Sequence, residues 1–506
     1  MRIAFVHYHL WPGGVSSVLY RQAGLLIDSD EVLIITGEAG GVLHDGVLHD
    51  GAIRGGPVHG GIPVAVVEAL GYDRFRPAAG ETPEEAAENL ARGLLKAMKD
   101  HWGGPADVVH VHNPLIRKNT ALLPALNILN CRGIRLLLQN HDLAEDFRPD
   151  VYYPGEYPEN CHYAVINSRD YSFLHRAGLK PEGLHLIPNE VSALSPAASS
   201  MTASSMTASS PAPAAAARPP GRKRYLYPVR AIRRKNIGEA LLLSLFIPQG
   251  KTVALTLPPT TQKDEAIYRR WIATAKELKL PVEFEIGASA PLAEIMAGAV
   301  CVITTSIKEG FGFSFLEPWL ADRAVIGRRI DYVCRDFEEE GVRFESLYPE
   351  INIPMAYLSP PLVKHKIEHT LNAVYEAFGL ETPEYFIKTM GDALLSRNTV
   401  DFGCLDEDLQ KSIIRTLQSN RVVYQDIGDS NPFLGKLEDL SRDEALIEAN
   451  KKAIQQAYGK DRIRTLLRET YRSVVDTPVT QRLSKSILLE LYLDPGKIFM
   501  VGVGRD

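Results

Sequence analysis

The chain has 506 residues, 45% of them hydrophobic and 23% charged, with a net charge of −6. That length exceeds what one core ordinarily serves, so two or three domains are expected, and the composition excludes global disorder. The acidic balance gives no reason to expect a nucleic-acid partner, and no apolar run approaches the ~18 residues of a membrane span.

The N-terminal MRIAFVHYHLWPGG is broken by histidines and ends in Pro-Gly-Gly. It predicts a first strand and not a secretion signal. Apolar, β-branched runs predict further strands at 31–36, 62–67, 107–111, 135–138 and 164–166 after the one at 2–7, with helices between them such as 15–27 and 83–99. Such alternation implies a parallel sheet with crossover helices. The pentapeptide GVLHD occurs twice over residues 41–50 in a Gly- and His-rich loop, where duplication explains the histidines better than metal binding. Residues 195–221, rich in Ser, Ala and Pro and without an aromatic or acidic residue, predict a flexible linker.

Beyond the linker the alternation restarts, with strands at 224–229, 252–257, 282–286 and 300–304. Helices are expected at 236–245, 265–279, 292–296 and from about 314. From about 363 the chain reads helical to about 493. The layout is α/β: a Rossmann-like domain over 1–192, a linker over 193–222, a second Rossmann-like domain over 223–362 and a helical region over 363–506. Two doubly wound domains facing across a cleft would place ligands at the carboxyl ends of their strands. The five cysteines are widely spaced with no CxxC pair. They fit reduced thiols of a cytoplasmic protein better than a disulfide framework or a zinc site.

Two segments carry chemistry. Ser306–Glu317, SIKEGFGFSFLE, follows a strand and precedes a helix. Gly310 and Gly312 allow a tight turn, and the amides around Phe311, Phe313 and Ser314 would sit at a helix N-terminus suited to a diphosphate or to sugar hydroxyls. Glu309 and Glu317 flank the turn and would hold polyols, or are simply a loop charge and a helix-end charge. In the second segment, YLYPVRAIRRKN, Arg230 leaves the end of a strand and Lys235 follows before a helix. Eight basic and no acidic residues lie between Arg218 and Lys235. Arg218, Arg222 and Lys223 read as a solvated hinge, whereas a cation at a strand's carboxyl end neutralises charge on a departing diphosphate.

Arg230-x4-Lys235 followed by Glu309-Gly-Phe-Gly-x4-Glu317 resembles the signature of retaining GT-B glycosyltransferases of family 4. Gly13-Gly14 is similar to that family's glycine loop, Asp107–His112 to its mid-domain strand, His141 to the histidine that touches the donor sugar, and Ile187–Val191 to the segment closing the first domain. The likeness covers about residues 1–335. It implies a hexosyl transfer from a nucleotide-sugar on one face of the sugar, without protein nucleophile or metal. The first domain would then serve the acceptor and the second the nucleotide-sugar. Arg230 and Lys235 would take the metal's electrostatic role, and His141 would orient the sugar unless it is a core histidine.

After Glu317 the family's later Gly-Gly loop is missing, and Arg328 or Arg329 is the expected substitute for its phosphate contacts. Asp28-Ser-Asp30 and Asp406-Glu-Asp408 are read as solvated turn or helix charges and not as metal ligands. The helix at 15–27 holds one basic residue, which favours a small soluble acceptor (a sugar, a sugar phosphate or a glycerate-like hydroxy acid) over a lipid. An epimerase or phosphorylase on the same fold, or a non-catalytic nucleotide-sugar binder, are the alternatives. Homo-oligomerisation is left open.

Overall fold

The structure is a computed structural model that describes residues 1–11, 13–39, 58–59, 61–73, 80–193, 224–386, 388–389, 398–437, 443–494 and 498–502. The duplicated pentapeptide, the expected linker and Arg218, Arg222 and Lys223 lie outside the described residues. The chain forms two compact units, Met1–Glu190 with Tyr458–Leu493, and Val191–Ala457 with Asp494–Asp506.

The first unit is built on strands β1 (Arg2–His9), β2 (Glu31–Glu38), β3 (Val58–His59), β4 (Ile62–Val66), β5 (Val108–His112), β6 (Leu136–Asn140), β7 (His162–Val165) and β8 (Leu184–Leu186), in the order β3-β4-β2-β1-β5-β6-β7-β8. All neighbours are parallel except β3 and β4. Helices α1 (Gly14–Gly24), α2 (Pro83–Trp102), α3 (Leu122–Cys131) and α4 (Ser168–Arg176) connect them. The period-2 alternation of β1 explains why both sheet faces are covered. Ala4, Val6 and Tyr8 enter one core with Leu90, Leu94 and Leu126 of α2 and α3, while Ile3 and Phe5 enter another with Leu19 and Ala23 of α1. A capping box starts α2: the Thr82 side chain accepts from the Glu85 amide at 3.2 Å and the Glu85 carboxylate accepts from the Thr82 amide at 2.8 Å.

The second unit holds β9 (Arg224–Arg230), β10 (Thr252–Leu257), β11 (Val282–Glu283), β12 (Ala299–Thr304), β13 (Val325–Arg328) and β14 (Leu347–Tyr348), ordered β11-β10-β9-β12-β13-β14 and parallel throughout. Its helices include α5 (Ile237–Leu243), α6 (Gln262–Glu277), α7 (Leu292–Ala297), α8 (Phe313–Leu320) and α9 (Asp331–Glu339). The strand expected at 282–286 stops at Glu283, because Glu285 turns left-handed (φ 59°) into a 3-10 turn. In each sheet the chain starts in the middle, winds to one side and returns to the other. The reversal falls between β1 and β5 in the first unit and between β9 and β12 in the second, which is where such sheets open a crevice.

The stretch expected as one helical region over 363–506 divides between the units. α10 (Pro360–Ala377), α11 (Glu407–Ser419), α12 (Arg421–Ser430) and nearly all of α13 (Glu444–Tyr458) stay with the second unit, as does a short antiparallel pair, β15 (Asn352–Pro354) with β16 (Thr399–Asp401). α14 (Lys460–Asp476) and α15 (Lys485–Tyr492) belong to the first. The reason is an apolar stripe: Ile463, Leu467, Tyr471 and Val474 recur at helical spacing and are buried in the core of Ile3 and Phe5. Between these helices the buried Gln481 is strapped to the first unit, its Nε2 donating to the carbonyls of Cys161 at 2.8 Å and Gly183 at 3.1 Å. No helix of the described residues is long and apolar enough to cross a membrane, and all five cysteines are free thiols.

Candidate active site

At the switch point of the second unit, the turn after β9 and the loop after β12 are zipped together by backbone groups. The Ile307 amide donates to the Arg234 carbonyl at 3.1 Å. The Lys235 carbonyl accepts from the Tyr227 hydroxyl at 2.7 Å and from Thr305 Oγ1 at 3.0 Å. This fixes the side chains that the two motifs supply. Lys235 Nζ pairs with Glu309 Oε1, and Arg234 Nη1 lies 3.0 Å from Glu309 Oε2 while also donating to the Lys308 carbonyl at 3.0 Å. Burial alone would push the Glu309 carboxyl up, but the two cations outweigh it and hold the group down to about 2. Tyr332 of α9 grips the same residue from behind: its hydroxyl donates to the Glu309 carbonyl and accepts from the Glu309 amide.

Arg230 differs from its neighbours. Arg233 is spent on a bidentate pair with Glu407, at 2.7 and 3.1 Å, whereas Arg230 forms no ion pair among the described residues and donates to the Pro258 carbonyl at 3.0 Å. Burial lowers the pKa of its guanidinium, which nonetheless stays charged. A half-buried cation without a carboxylate partner is a place for an anion. The loop after β12 leads into α8, whose N-cap Gly312 brings no side-chain cap, so the helix's first amides are unsatisfied by the helix itself. Gly312 has φ 98°, and a Cβ there would lie 2.7 Å from Val333, so the turn requires glycine. Gly310 and Phe311 lead into this turn, and the Phe311 and Phe313 rings meet edge to face at 5.1 Å. Ser314 Oγ is buried without a partner among the described residues, an orphaned hydroxyl at a helix N-terminus. Glu317 lies one turn further on, half-buried.

At the switch point of the first unit the polar groups are imidazoles. His141 follows β6, with its amide donating to Asn113 Oδ1 at 2.6 Å, and its ring Nε2 lies 2.9 Å from His112 Nδ1 at the end of β5. His7 Nδ1 donates to the His112 carbonyl at 3.2 Å. His9 Nδ1 accepts from the Trp11 amide at 3.2 Å, so its proton sits on Nε2, 3.0 Å from the Tyr72 hydroxyl. Burial pushes His7 down to about 3 and His141 down to about 4, and lowers His112 well below the usual range. These rings are therefore neutral at pH 7. Gly13 caps α1 and Gly14 opens it. Neither has a left-handed backbone, and a Cβ would meet only the Trp11 carbonyl at 3.8 Å at Gly13 and nothing within 4 Å at Gly14. The fold does not require either glycine.

One expectation is overturned for Arg328, which does not replace the missing Gly-Gly loop. Arg328 is 2% exposed and locked between Glu239 (2.6 Å) and Asp401 (2.7 Å), and Arg329 pairs with Asp331 and Glu338. A guanidinium that satisfies two buried carboxylates has no donors left for a phosphate. Asp30 departs from the solvated charge expected, since it holds the N-terminal amine at 3.0 Å, while Asp406 is a helix charge as expected, capping α11 and pairing with Lys366. Arg234, Tyr332, His112 and Asn113 were missed as site residues. Arg234 had a signal, its place in the Arg-Arg-Lys run. Tyr332 and Asn113 act through backbone geometry that spacing does not reveal.

Two parallel doubly wound sheets with polar groups collected at both switch points define the class: the fold is that of the GT-B glycosyltransferases. No protein-family model matches the chain. By sequence it is 24% identical over 418 residues, 80% of this chain and 79% of the relative, to the mannosylglucosyl-3-phosphoglycerate synthase of Petrotoga mobilis. By structure it is similar to Anabaena HepE, solved with UDP and glucose, at a TM-score of 0.51 and 14% identity over 94% of this chain and 100% of that one. It is also similar to the catalytic domain of starch synthase IV from Arabidopsis thaliana, solved with ADP and acarbose, at a TM-score of 0.50 and 13% identity over 94% and 99%. These structural likenesses establish the fold.

Proposed function

We propose that the chain is a retaining glycosyltransferase of the family 4 kind that moves a hexosyl group from a nucleotide-sugar to a hydroxyl of a small, soluble, glycerate-like or sugar-phosphate acceptor, in the cytoplasm and without a metal ion. The observation that carries this is the second unit's switch point: Arg234 and Lys235 pair with Glu309, Arg230 ends β9 without an ion pair among the described residues, and Glu309 shortly precedes an uncapped helix N-terminus. Such a surplus of positive charge suits a diphosphate. As the bond between the sugar's anomeric carbon and the phosphate oxygen breaks, Arg230 and Lys235 neutralise the charge left on that oxygen. The new bond to the acceptor oxygen forms on the same face, and the acceptor's proton passes to the departing phosphate. Glu309 and Glu317 hold hydroxyls of the sugar and ribose, and His141 hydrogen-bonds the transferred sugar. The acceptor class follows the named product of the Petrotoga relative and the single basic residue, Arg21, of α1.

The test is nucleoside-diphosphate release from UDP-, GDP- and ADP-sugars with pooled small acceptors, in EDTA, for the native chain, Glu309→Ala and Lys235→Ala. Acceptor-stimulated release with one donor, surviving EDTA and lost in both variants, is expected. Release without an acceptor moves the reading to an epimerase. Release that EDTA abolishes, or none with any donor, overturns it.

A further inference from the structure

The contact between His112 and His141 has a direction that the structure assigns. The rings stack at 5.2 Å and 15°, and a hydrogen bond of 2.9 Å joins His112 Nδ1 to His141 Nε2. Both rings are neutral, so each carries one proton, and one of the two nitrogens donates while the other accepts. The remaining nitrogen of His112, Nε2, is buried with no partner among the described residues. If His141 donated, His112 would have to keep its proton on that Nε2, an N–H buried with nothing to accept it. If His112 donates from Nδ1, its Nε2 keeps only an unused lone pair. Orphaned buried N–H groups are rarer and costlier than under-used acceptors.

We infer that His112 is a positioning residue that donates from Nδ1 and fixes His141 in the tautomer protonated at Nδ1, so that His141 offers the transferred sugar an N–H donor instead of a lone pair. His112 is itself immobilised. Its carbonyl accepts from His7 Nδ1, and its ring stacks on His110 at 4.5 Å and tilts against Phe5 at 5.8 Å. The carrier of the acting ring is fixed as well, since the amides of His141 and Asp142 both donate to Asn113 Oδ1, at 2.6 and 3.2 Å. Asn113 takes a left-handed φ of 54° in doing so. The inference rests on the proposed contact between His141 and the sugar.

The experiment uses the full chain labelled with 15N-histidine, the His141 resonances being assigned by their loss in His141→Gln. The native spectrum is expected to show His141 protonated at Nδ1. His112→Phe, which keeps a ring and removes the donor, is expected to shift His141 toward the Nε2 tautomer and lower kcat about tenfold with little change in donor KM. His112→Asn, whose amide nitrogen lies near the lost Nδ1, is expected to restore both. Native His141 protonated at Nε2, or an unchanged tautomer in His112→Phe, overturns the inference. The native spectrum decides the tautomer even if the phenylalanine variant fails to fold. Unchanged kcat in His141→Ala would instead overturn the sugar contact and leave the tautomer assignment standing.

Discussion

At the point where strand order reverses, the second unit pairs Arg234 and Lys235 with Glu309 and ends β9 on Arg230, whereas the first gathers His7, His9, His112 and His141. Both crevices arise from the same parallel topology. One is ionic with a positive surplus, and the other is lined by imidazoles of which His7, His112 and His141 are neutral at pH 7. The topology dictates where a ligand sits, and the residues at the strand ends dictate which part of a ligand it is. On the proposed function, phosphate charge goes with the second crevice, and hydroxyls, which need a donor or an acceptor but no charge, go with the first.

The largest effect should come from the charges that only stabilise. Arg328→Met leaves Glu239 and Asp401 buried without their cation. Breaking such a network is expected to cost about 3–5 kcal/mol, read as a lower urea midpoint. A loss under about 1 kcal/mol would mean that the second unit tolerates unpaired charge. The distinction between its pairing cations and its ligand cations would then collapse.

Next come the two crevices themselves. Lys235→Ala is expected to lower kcat about 10²–10³-fold, since it removes charge placed where negative charge develops. His141→Ala should lower it only about tenfold, the worth of one neutral hydrogen bond. Initial rates at saturating donor compare them directly, and equal losses would break the contrast between an ionic and a neutral crevice.

Acid should separate the units by stability. His7 and His110 are held down to about 3, and His141 and His185 to about 4, mainly by burial. A histidine whose folded pKa is depressed leaves stability intact above its ordinary value near 6.5. As pH falls from there toward the folded pKa, the unfolded chain takes up protons that the folded one refuses, and stability is lost. At pH 5 each fully buried ring costs about 2 kcal/mol. All four lie in the first unit. Glu309, held down to about 2, begins to cost the second unit only below the ordinary carboxylate value near 4.5. Hydrogen exchange at pH 7 and pH 5 should therefore show the first unit opening first. The reverse order, or uniform opening, would refute this.

The ionic crevice was largely legible in the sequence because its ingredients are local. Arg230 and Lys235 ride one strand–turn, Glu309 and Gly312 another, and both turns follow apolar runs whose strands the structure contains. What was illegible is set by partners distant in the chain. Arg328 looked free for a phosphate until Asp401, 73 residues later, was seen to hold it. The apolar stripe of α14 announced a buried face but not which unit would bury it. β13 and β14, four and two residues long, are too short for a period to show. The histidines were visible as residues, but their hydrogen-bonded order depends on β5 lying beside β6.

The smallest effect sharpens the comparison most cheaply, because it asks whether a glycine serves the fold or a ligand. Gly312 carries a φ of 98° and has no room for a Cβ, so Gly312→Ala should destabilise by about 1–3 kcal/mol and lose activity with it. Gly14 begins α1 with open space around it and no left-handed backbone. Alanine there restricts the unfolded chain and suits the helix, so Gly14→Ala should leave the fold unharmed or stabilise it by about 0.4–1 kcal/mol. If a ligand packs against that backbone, activity must fall even as Tm rises, and this opposition separates the two roles. A rise in Tm with full activity would show that nothing approaches Gly14, and would leave the first crevice's ligand contacts to its histidines alone.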